Sequence, residues 1–301
     1  MTDAENLDYR DAIGRQFGNF VVVRELGRGA MGAVFIGYQR SLKRQVAIKL
    51  LPKALATSDM ARQQFRDEAE LVAILNHPNI ITIFENGEDD LYFYQAMELV
   101  DGQDLGQLLN KIRRHPVPAR RVLPLKQTLR LTGEILDGLG LAHEEGVVHQ
   151  DLKPANILVD NRTGRARIAD FGIAKARQIE YSARGLVVGT PNYLSPEQAS
   201  AGDTDHRTDI YAMGLILLEM LAGQLPIRDE GARETVMRKI REPDSFLLHR
   251  PIDCHPNIDE DMEKIILTAI ATDRDMRYNE CTDFSRALDQ WLRHKRQQAS
   301  A

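Results

Sequence analysis

Cysteine is nearly absent: the 301 residues hold only Cys254 and Cys281. Two distant cysteines make neither a disulfide framework nor a metal-type spacing, which fits a reducing cytosol. Nowhere do about 18 apolar residues run uninterrupted, the length a membrane helix needs. The first residues, with Asp3, Glu5, Asp8 and Asp11, lack the basic-then-apolar pattern of a signal peptide. Positive charge is not in excess either. The formal net charge is -5, which argues against a nucleic-acid binder working by bulk charge. No internal repeat is visible. What remains is ordinary globular composition, 43% hydrophobic and 28% charged, in a chain long enough for two domains.

The most concentrated chemistry lies in Val147-Val148-His149-Gln150-Asp151-Leu152-Lys153-Pro154-Ala155-Asn156-Ile157-Leu158-Val159. The two apolar runs at its ends read as short buried strands. Between them a proline-stiffened loop carries an acid, a base and an amide. Asp151 can accept a proton, Lys153 can neutralise an anion, and Asn156 can offer a carbonyl oxygen to a hard cation. That set suits phosphoryl transfer, where catalysis is mostly positioning and charge neutralisation.

Residues 1–17 are polar and acidic and read as a loosely docked arm. Phe20-Val21-Val22-Val23 begins a strand that leads into Leu26-Gly27-Arg28-Gly29-Ala30-Met31-Gly32-Ala33-Val34-Phe35-Ile36. Gly-x-Gly-x-x-Gly alone is a weak signal. Here a β-branched and aromatic strand follows it rather than a helix, so the glycines lie in a hairpin that can fold over phosphates. In the strand Gln45–Leu51, alternation puts Val46, Ile48 and Leu50 on one face and Ala47 and Lys49 on the other. A helix is expected over about 58–75 with Phe65, Ala69, Val72 and Ala73 as its apolar stripe. Glu68 falls on the inward side, where a carboxylate needs a partner, and Lys49 is the candidate. Strands are expected near 80–86 and 91–97. Glu98-Leu99-Val100-Asp101-Gly102 then breaks the pattern and reads as a linker to a helical second domain. The basic stretch between Lys111 and Arg121 reads as a solvated loop.

Helices are expected over 104–114 and 125–145. Ala166-Arg167-Ile168-Ala169-Asp170 gives a short strand ending in an acid, the natural second metal ligand; few protein oxygens suit Mg²⁺ shared with a nucleotide's phosphates. Residues 173–194 read as a long mobile loop. Asp209–Leu221 is apolar on nearly every side and reads as a central buried helix. Amphipathic helices near 232–241, 259–271 and 281–294 close the second domain.

These motifs, in this order, resemble the bacterial eukaryotic-like Ser/Thr protein kinases over about residues 18–294. The resemblance implies an α+β, two-lobed fold: an antiparallel-sheet N-lobe with one main helix over 18–98, a mainly helical C-lobe over 99–294, and a tail over 295–301. It implies ATP and Mg²⁺ (or Mn²⁺) as cofactors, and serine or threonine hydroxyls of proteins as acceptors. Asp151, Lys153, Lys49 and Glu68 take the catalytic roles, and Asn156 and Asp170 hold the metal. The nucleotide falls to Leu26, Gly27, Gly29, Gly32, Val34, Ala47, Lys49, Met97, Glu98, Val100 and Leu158. Ser195-Pro196-Glu197 stands where the family usually has Ala-Pro-Glu, Asp209 matches the acid that braces the catalytic loop, and Arg277 matches the partner of Glu197. No nucleic acid and no membrane span in this chain are expected. A homodimer, and a place as the cytosolic part of a longer membrane protein, stay open.

One residue departs from the pattern. Gln150 replaces the arginine that usually precedes the catalytic aspartate and binds a phosphate on the activation loop. Glutamine has no guanidinium fork, so activation is expected not to need that phosphate; the main objection is that Lys175, Arg177 or Arg184 could supply replacement charge. A pseudokinase scaffold, binding nucleotide or partners without catalysis, is the alternative. Intact Lys49, Asp151, Asn156 and Asp170 count against it.

Overall fold

The computed structural model describes residues 9–29, 32–55, 74–117, 120–171 and 191–300. The chain divides into two compact units, one running to Asp101 and the other starting at Gly102. The helix expected over 58–75, with Glu68, and most of the loop expected over 173–194 lie outside the described residues.

The first unit is a six-stranded antiparallel sheet. Its strands are β1 (Gln16–Phe17), β2 (Phe20–Gly29), β3 (Gly32–Gln39), β4 (Arg44–Pro52), β5 (Ile83–Glu88) and β6 (Tyr92–Met97), in the order β1-β2-β3-β4-β6-β5. The core lies on one face, where Phe35, Val46, Ile48, Leu50 and Tyr94 pack together. The stretch expected to be a loose arm is docked from residue 9 onward, with Tyr9, Ala12 and Phe17 buried in that core. Burial of two aromatic rings holds it there, each ring contributing roughly 2 kcal/mol or more. The expected strand at 80–86 begins only at Ile83, although Ile80 and Ile81 are buried. The β5–β6 hairpin is closed by the Asp89 side chain, whose Oδ1 accepts from the backbone N–H groups of Leu91 and Tyr92 at 2.8 Å each, a local alternative to ladder bonding.

The second unit is mostly helical. Its small sheet joins β7 (Gly102–Asp104), β8 (Ile157–Asp160) and β9 (Ala166–Ile168). The helices are α1 (Leu105–Arg113), α2 (Leu125–Glu144), α3 (Pro196–Ala199), α4 (Arg207–Ala222), α5 (Ala232–Arg241), α6 (Pro251–Cys254), α7 (Glu260–Ala269) and α8 (Cys281–Ser300). α4 is the hub: every residue from Thr208 to Leu221 is buried. It approaches α7 so closely that a Cβ on Gly214 would sit 2.8 Å from the Ala269 Cβ. α8 runs on to Ser300, past position 294 where the apolar pattern ends.

No strand forms at Val147-Val148, contrary to expectation. Gly146 turns the chain with φ +75, and the Val147 N–H goes back to Ala142 O at 2.8 Å, closing the end of α2. With its N–H spent on the helix end, Val147 has no donor left to offer a ladder.

Candidate active site

The loop 149–156 hangs from a carboxylate beneath it. Asp209, in the first turn of α4, is fully buried. Its Oδ2 accepts from the backbone N–H of His149 and lies 2.8 Å from His143 Nε2; its Oδ1 accepts from the Gln150 N–H at 2.8 Å. Burial pushes this carboxyl up, but the bond and charge of His143 and the His149 contacts outweigh it and hold it below the usual range. Such multiple donation to the charged form is what makes a buried carboxylate tolerable.

Two of the four non-glycine residues with positive φ among those described lie at this site, Gln150 (φ 63) and Asp170 (φ 58). Left-handed backbone costs about 1–2 kcal/mol per residue. At Gln150 two bonds hold it: the N–H on Asp209, and the carbonyl, which accepts from Gln198 Nε2 at 2.7 Å.

Asp151 emerges half-buried above this anchor. Its Oδ2 receives Lys153 Nζ at 2.7 Å and Asn156 Nδ2 at 3.3 Å, and its carbonyl receives Asn156 Nδ2 at 2.8 Å. The loop thus fixes its own three polar side chains against one another. Asn156 turns its amide nitrogen toward Asp151, which directs the amide oxygen the other way. The Asn156 carbonyl accepts from Ala169 N at 2.9 Å, and Ala169 O lies 3.0 Å from His149 Nε2. The residue before Asp170 is therefore pinned to the same loop. An amide oxygen and a carboxylate are hard donors, the type Mg²⁺ takes when it keeps phosphate and water oxygens as its other ligands.

A second set of polar contacts supports the loop from the side. Ser195 caps α3, accepting from Gln198 N, while Gln198 Oε1 accepts from Ser195 N at 3.0 Å, a reciprocal capping box. Glu197 is gripped by the fully buried Arg277 side chain through Nη1–Oε1 at 2.7 Å and Nη2–Oε2 at 2.8 Å. It also accepts from the Thr208 hydroxyl at 2.9 Å. Burial raises the Glu197 carboxyl, yet the two-pronged bond and charge of Arg277 bring it below its ordinary value.

In the first unit the register of β3, β4 and β6 sets Val34 opposite Lys49 and Ala47 opposite Met97. Opposed residues project to the same side, so these four share the face away from the aromatic core. Lys49 is half-buried there, Ala47 and Met97 are buried, and Leu26 is exposed on β2. The backbone N–H of Glu98 donates to Thr82 O at 2.9 Å, which fixes the start of the segment carrying Val100. Gly27 lies in open space, whereas a Cβ on Gly32 would come within 2.1 Å of the Leu50 carbonyl. Gly29 and Gly32 pair as the last residues of the β2–β3 ladder.

Comparison with known proteins agrees with this geometry. The family described as protein kinase domain matches residues 20–295. The chain belongs to the protein kinase domain family. The serine/threonine-protein kinase Pkn1 of Myxococcus xanthus is 36% identical over 282 residues, covering 92% of this chain and 38% of that protein. PrkC of Bacillus subtilis, also named a serine/threonine-protein kinase, is 33% identical over 88% of this chain and 39% of its own length. The chain spans about two fifths of these relatives. Among solved structures, the kinase domain of Mycobacterium tuberculosis PknI superposes with a TM-score of 0.73 at 29% identity, over 93% of this chain and 98% of that one.

Within this kinase domain the motif residues in the second unit come together: Asp151, Lys153, Asn156 and the strand before Asp170 form one bonded group, and Leu158 sits half-buried on β8 beside it. Val34, Ala47, Lys49 and Met97 share one sheet face in the first unit. Glu68 lies outside the described residues. Four contributors were missed in the sequence: His143, His149, Thr208 and Gln198. Only Gln198 left a signal, the Ser-x-x-Gln spacing of a capping box. Among the described residues no helix is long and apolar enough to cross a membrane, and both cysteines are free.

Proposed function

We propose that this chain transfers the γ-phosphoryl group of ATP to a serine or threonine hydroxyl of a protein, itself included. The observation that supports this best is the way Lys153 and Asn156 converge on the Asp151 carboxylate, itself hung from Asp209. Asp151 orients the acceptor hydroxyl and takes its proton as the hydroxyl oxygen bonds to the γ-phosphorus. The bond from that phosphorus to the bridging oxygen breaks, and ADP leaves with the electron pair. Lys153 offsets charge on the phosphoryl in transit. Lys49, partnered by Glu68, binds the α and β phosphates. The glycines 27, 29 and 32 bring backbone N–H groups over the phosphates.

Leu26, Val34, Ala47, Met97 and Leu158 supply apolar surface for adenine, and the backbone of Glu98 and Val100 its hydrogen bonds. Asn156 and Asp170 hold Mg²⁺, or Mn²⁺ in its place; bound there, the cation neutralises charge that develops on the phosphate oxygens. Protein acceptors and a cytosolic setting belong to this proposal. It is favoured over a nucleotide-binding scaffold because every side chain the transfer needs is of the required type.

Asp151→Asn is the test. The variant folds and binds ATP, and transfer of labelled phosphate from Mg-ATP to a generic protein substrate falls by about 10²–10⁴-fold, the usual worth of a positioned base. Turnover close to the parent would remove Asp151 from this role.

A further inference from the structure

Gly27 and Gly29 have no side chains, so a side-chain tether on this end of β2 has to act through Arg28 between them. Arg28 pairs with Ala33 across the β2–β3 ladder, and Ala33 belongs to the aromatic core. Opposed residues project to the same side, so the guanidinium lies over the core face, away from the face of Val34 and Lys49. Two groups hold it there. Glu25 grips it with both oxygens, accepting from Nε at 2.6 Å and from Nη2 at 3.0 Å. The Tyr9 ring lies against it, with its centroid 5.3 Å from the guanidinium carbon, within reach of a cation–π contact.

Tyr9 is held by contacts of its own. It is 1% exposed, and its ring centroid lies 6.0 Å from those of Phe35 and Tyr92. Tyr92 Oη donates to Asp11 Oδ1 at 3.0 Å, and Arg15 Nη2 lies 2.9 Å from Asp89 Oδ2. The Gly14 N–H donates to Val22 O at 2.9 Å, and the Val22 N–H donates to Arg15 O at 3.0 Å. The Tyr9 hydroxyl is buried with no hydrogen-bond partner among the described residues, so the ring is the part that holds Arg28. Beside Gly27 a Cβ would meet nothing within 4 Å. Glycine leaves the flanking backbone its widest freedom, and fixing such a stretch before a ligand arrives lowers the ordering cost of binding.

We propose that Tyr9 is a positioning residue for the nucleotide: acting through Arg28, its ring fixes the glycine-bearing end of β2 in the conformation that covers the phosphates. This rests on the proposed phosphate-binding role of Gly27, Gly29 and Gly32. Tyr9 lies on the sheet face opposite Val34, Ala47, Lys49 and Met97, so it touches no nucleotide atom itself. Its effect falls on the phosphates and spares adenosine, because the register that places Val34, Ala47 and Met97 does not depend on Arg28.

The test is isothermal titration calorimetry of the full chain with Mg-ATP and, separately, with adenosine. In Tyr9→Leu the affinity for Mg-ATP is expected to fall about two- to fivefold, the worth of one cation–π contact at an exposed site, while the affinity for adenosine stays at the parent value. Tyr9→Phe keeps the ring and should match the parent for both ligands. Should Tyr9→Leu fail to fold, Glu25→Gln reads the same grip from a side chain that is 30% exposed. By charge alone, removing a carboxylate would tighten the binding of an anion; a loosened Arg28 weakens it, and weaker Mg-ATP binding is expected. An ATP-to-adenosine affinity ratio in Tyr9→Leu equal to the parent's overturns the proposal, as does a loss in Tyr9→Phe as large as in Tyr9→Leu, or Mg-ATP binding in Glu25→Gln that is unchanged or tighter. These results leave the proposed function standing if the parent binds Mg-ATP; a parent that binds neither ligand overturns both.

Discussion

Replacing Asp209 by Asn tests whether the loop 149–156 depends on a buried charge. The carboxylate receives two donors at Oδ2 and one at Oδ1, all at 2.8 Å. In its better orientation the amide keeps its oxygen at the Oδ2 position, which retains His149 N and His143. Its NH₂ then faces the Gln150 N–H, donor against donor. One charge-assisted hydrogen bond is lost, worth about 1.5–3 kcal/mol, and a buried N–H is orphaned at a further cost of about 1–3 kcal/mol. The expected loss is about 3–5 kcal/mol of stability, a drop of roughly 6–20 °C in Tm for a domain of this size. Gln150 precedes Asp151, so the freed backbone also misplaces the carboxylate; a shift of about 1 Å at such a group costs on the order of 10²-fold in rate.

Urea denaturation and steady-state phosphate transfer on the same preparations read both effects. KM for ATP should move far less than kcat, because the proposed nucleotide contacts lie mostly on the first unit's sheet. A variant within about 1 kcal/mol of the parent, with kcat nearly unchanged, would refute the view that Asp209 positions the loop.

Other perturbations separate structural from chemical roles. Gly27→Ala meets nothing within 4 Å and should leave stability within about 0.5 kcal/mol, so any loss of nucleotide affinity reports phosphate contact. Gly32→Ala drives a Cβ to 2.1 Å from a backbone carbonyl and should cost about 1–3 kcal/mol as an overpacking change, measured by chemical denaturation. Glu197→Gln strands the fully buried Arg277 guanidinium and should cost about 3–5 kcal/mol, with Arg277→Lys also destabilising because the two-pronged grip is lost.

Acid should act through Asp205 and Glu197. For Asp205, burial raises the carboxyl, but Arg207 brings it down to about 2 from 3.8. A folded-state value below the unfolded one means the stabilisation is complete above about pH 4 and is lost as pH falls through about 2. A urea midpoint that stays constant from pH 5 down to pH 2.5 (~2.5 units spanning that window) would contradict this.

Much of the fold was legible because its signals are local. Alternation in Gln45–Leu51 correctly separated the core face from the face of Ala47 and Lys49, since side chains of a strand can only alternate. The unbroken apolar run at Asp209–Leu221 marked the buried hub, because a helix buried on all sides needs no polar stripe. Val147-Val148 misled for an equally physical reason: two apolar residues fit a strand, a helix end or a buried loop alike, and only the bond to Ala142 decides. The docking of Tyr9 and Phe17 was hidden because the acidic residues around them dominate the composition, while two rings suffice to anchor a short segment. At the site, Asp151, Lys153 and Asn156 sit within six positions and declare themselves. His143, Thr208 and Gln198 act from separate elements, and nothing in their own neighbourhood shows which backbone they will meet.

Gln150 shows how such separation decides function. Its N–H on Asp209 and its carbonyl under Gln198 are backbone contacts, and so is the positive φ they maintain. None of them reads the side chain. A residue of any type that tolerates the left-handed region keeps Asp151 where it is, with Lys153 and Asn156 still bonded to it. Under the proposed function, the glutamine in place of arginine therefore bears on how transfer is switched, through whatever the 150 side chain faces, and leaves the placement of the Asp151 carboxylate untouched. A scaffold without catalysis would need a defect in Asp151, Asn156, Lys49 or Asp170, and each of these has the side chain that phosphoryl transfer requires.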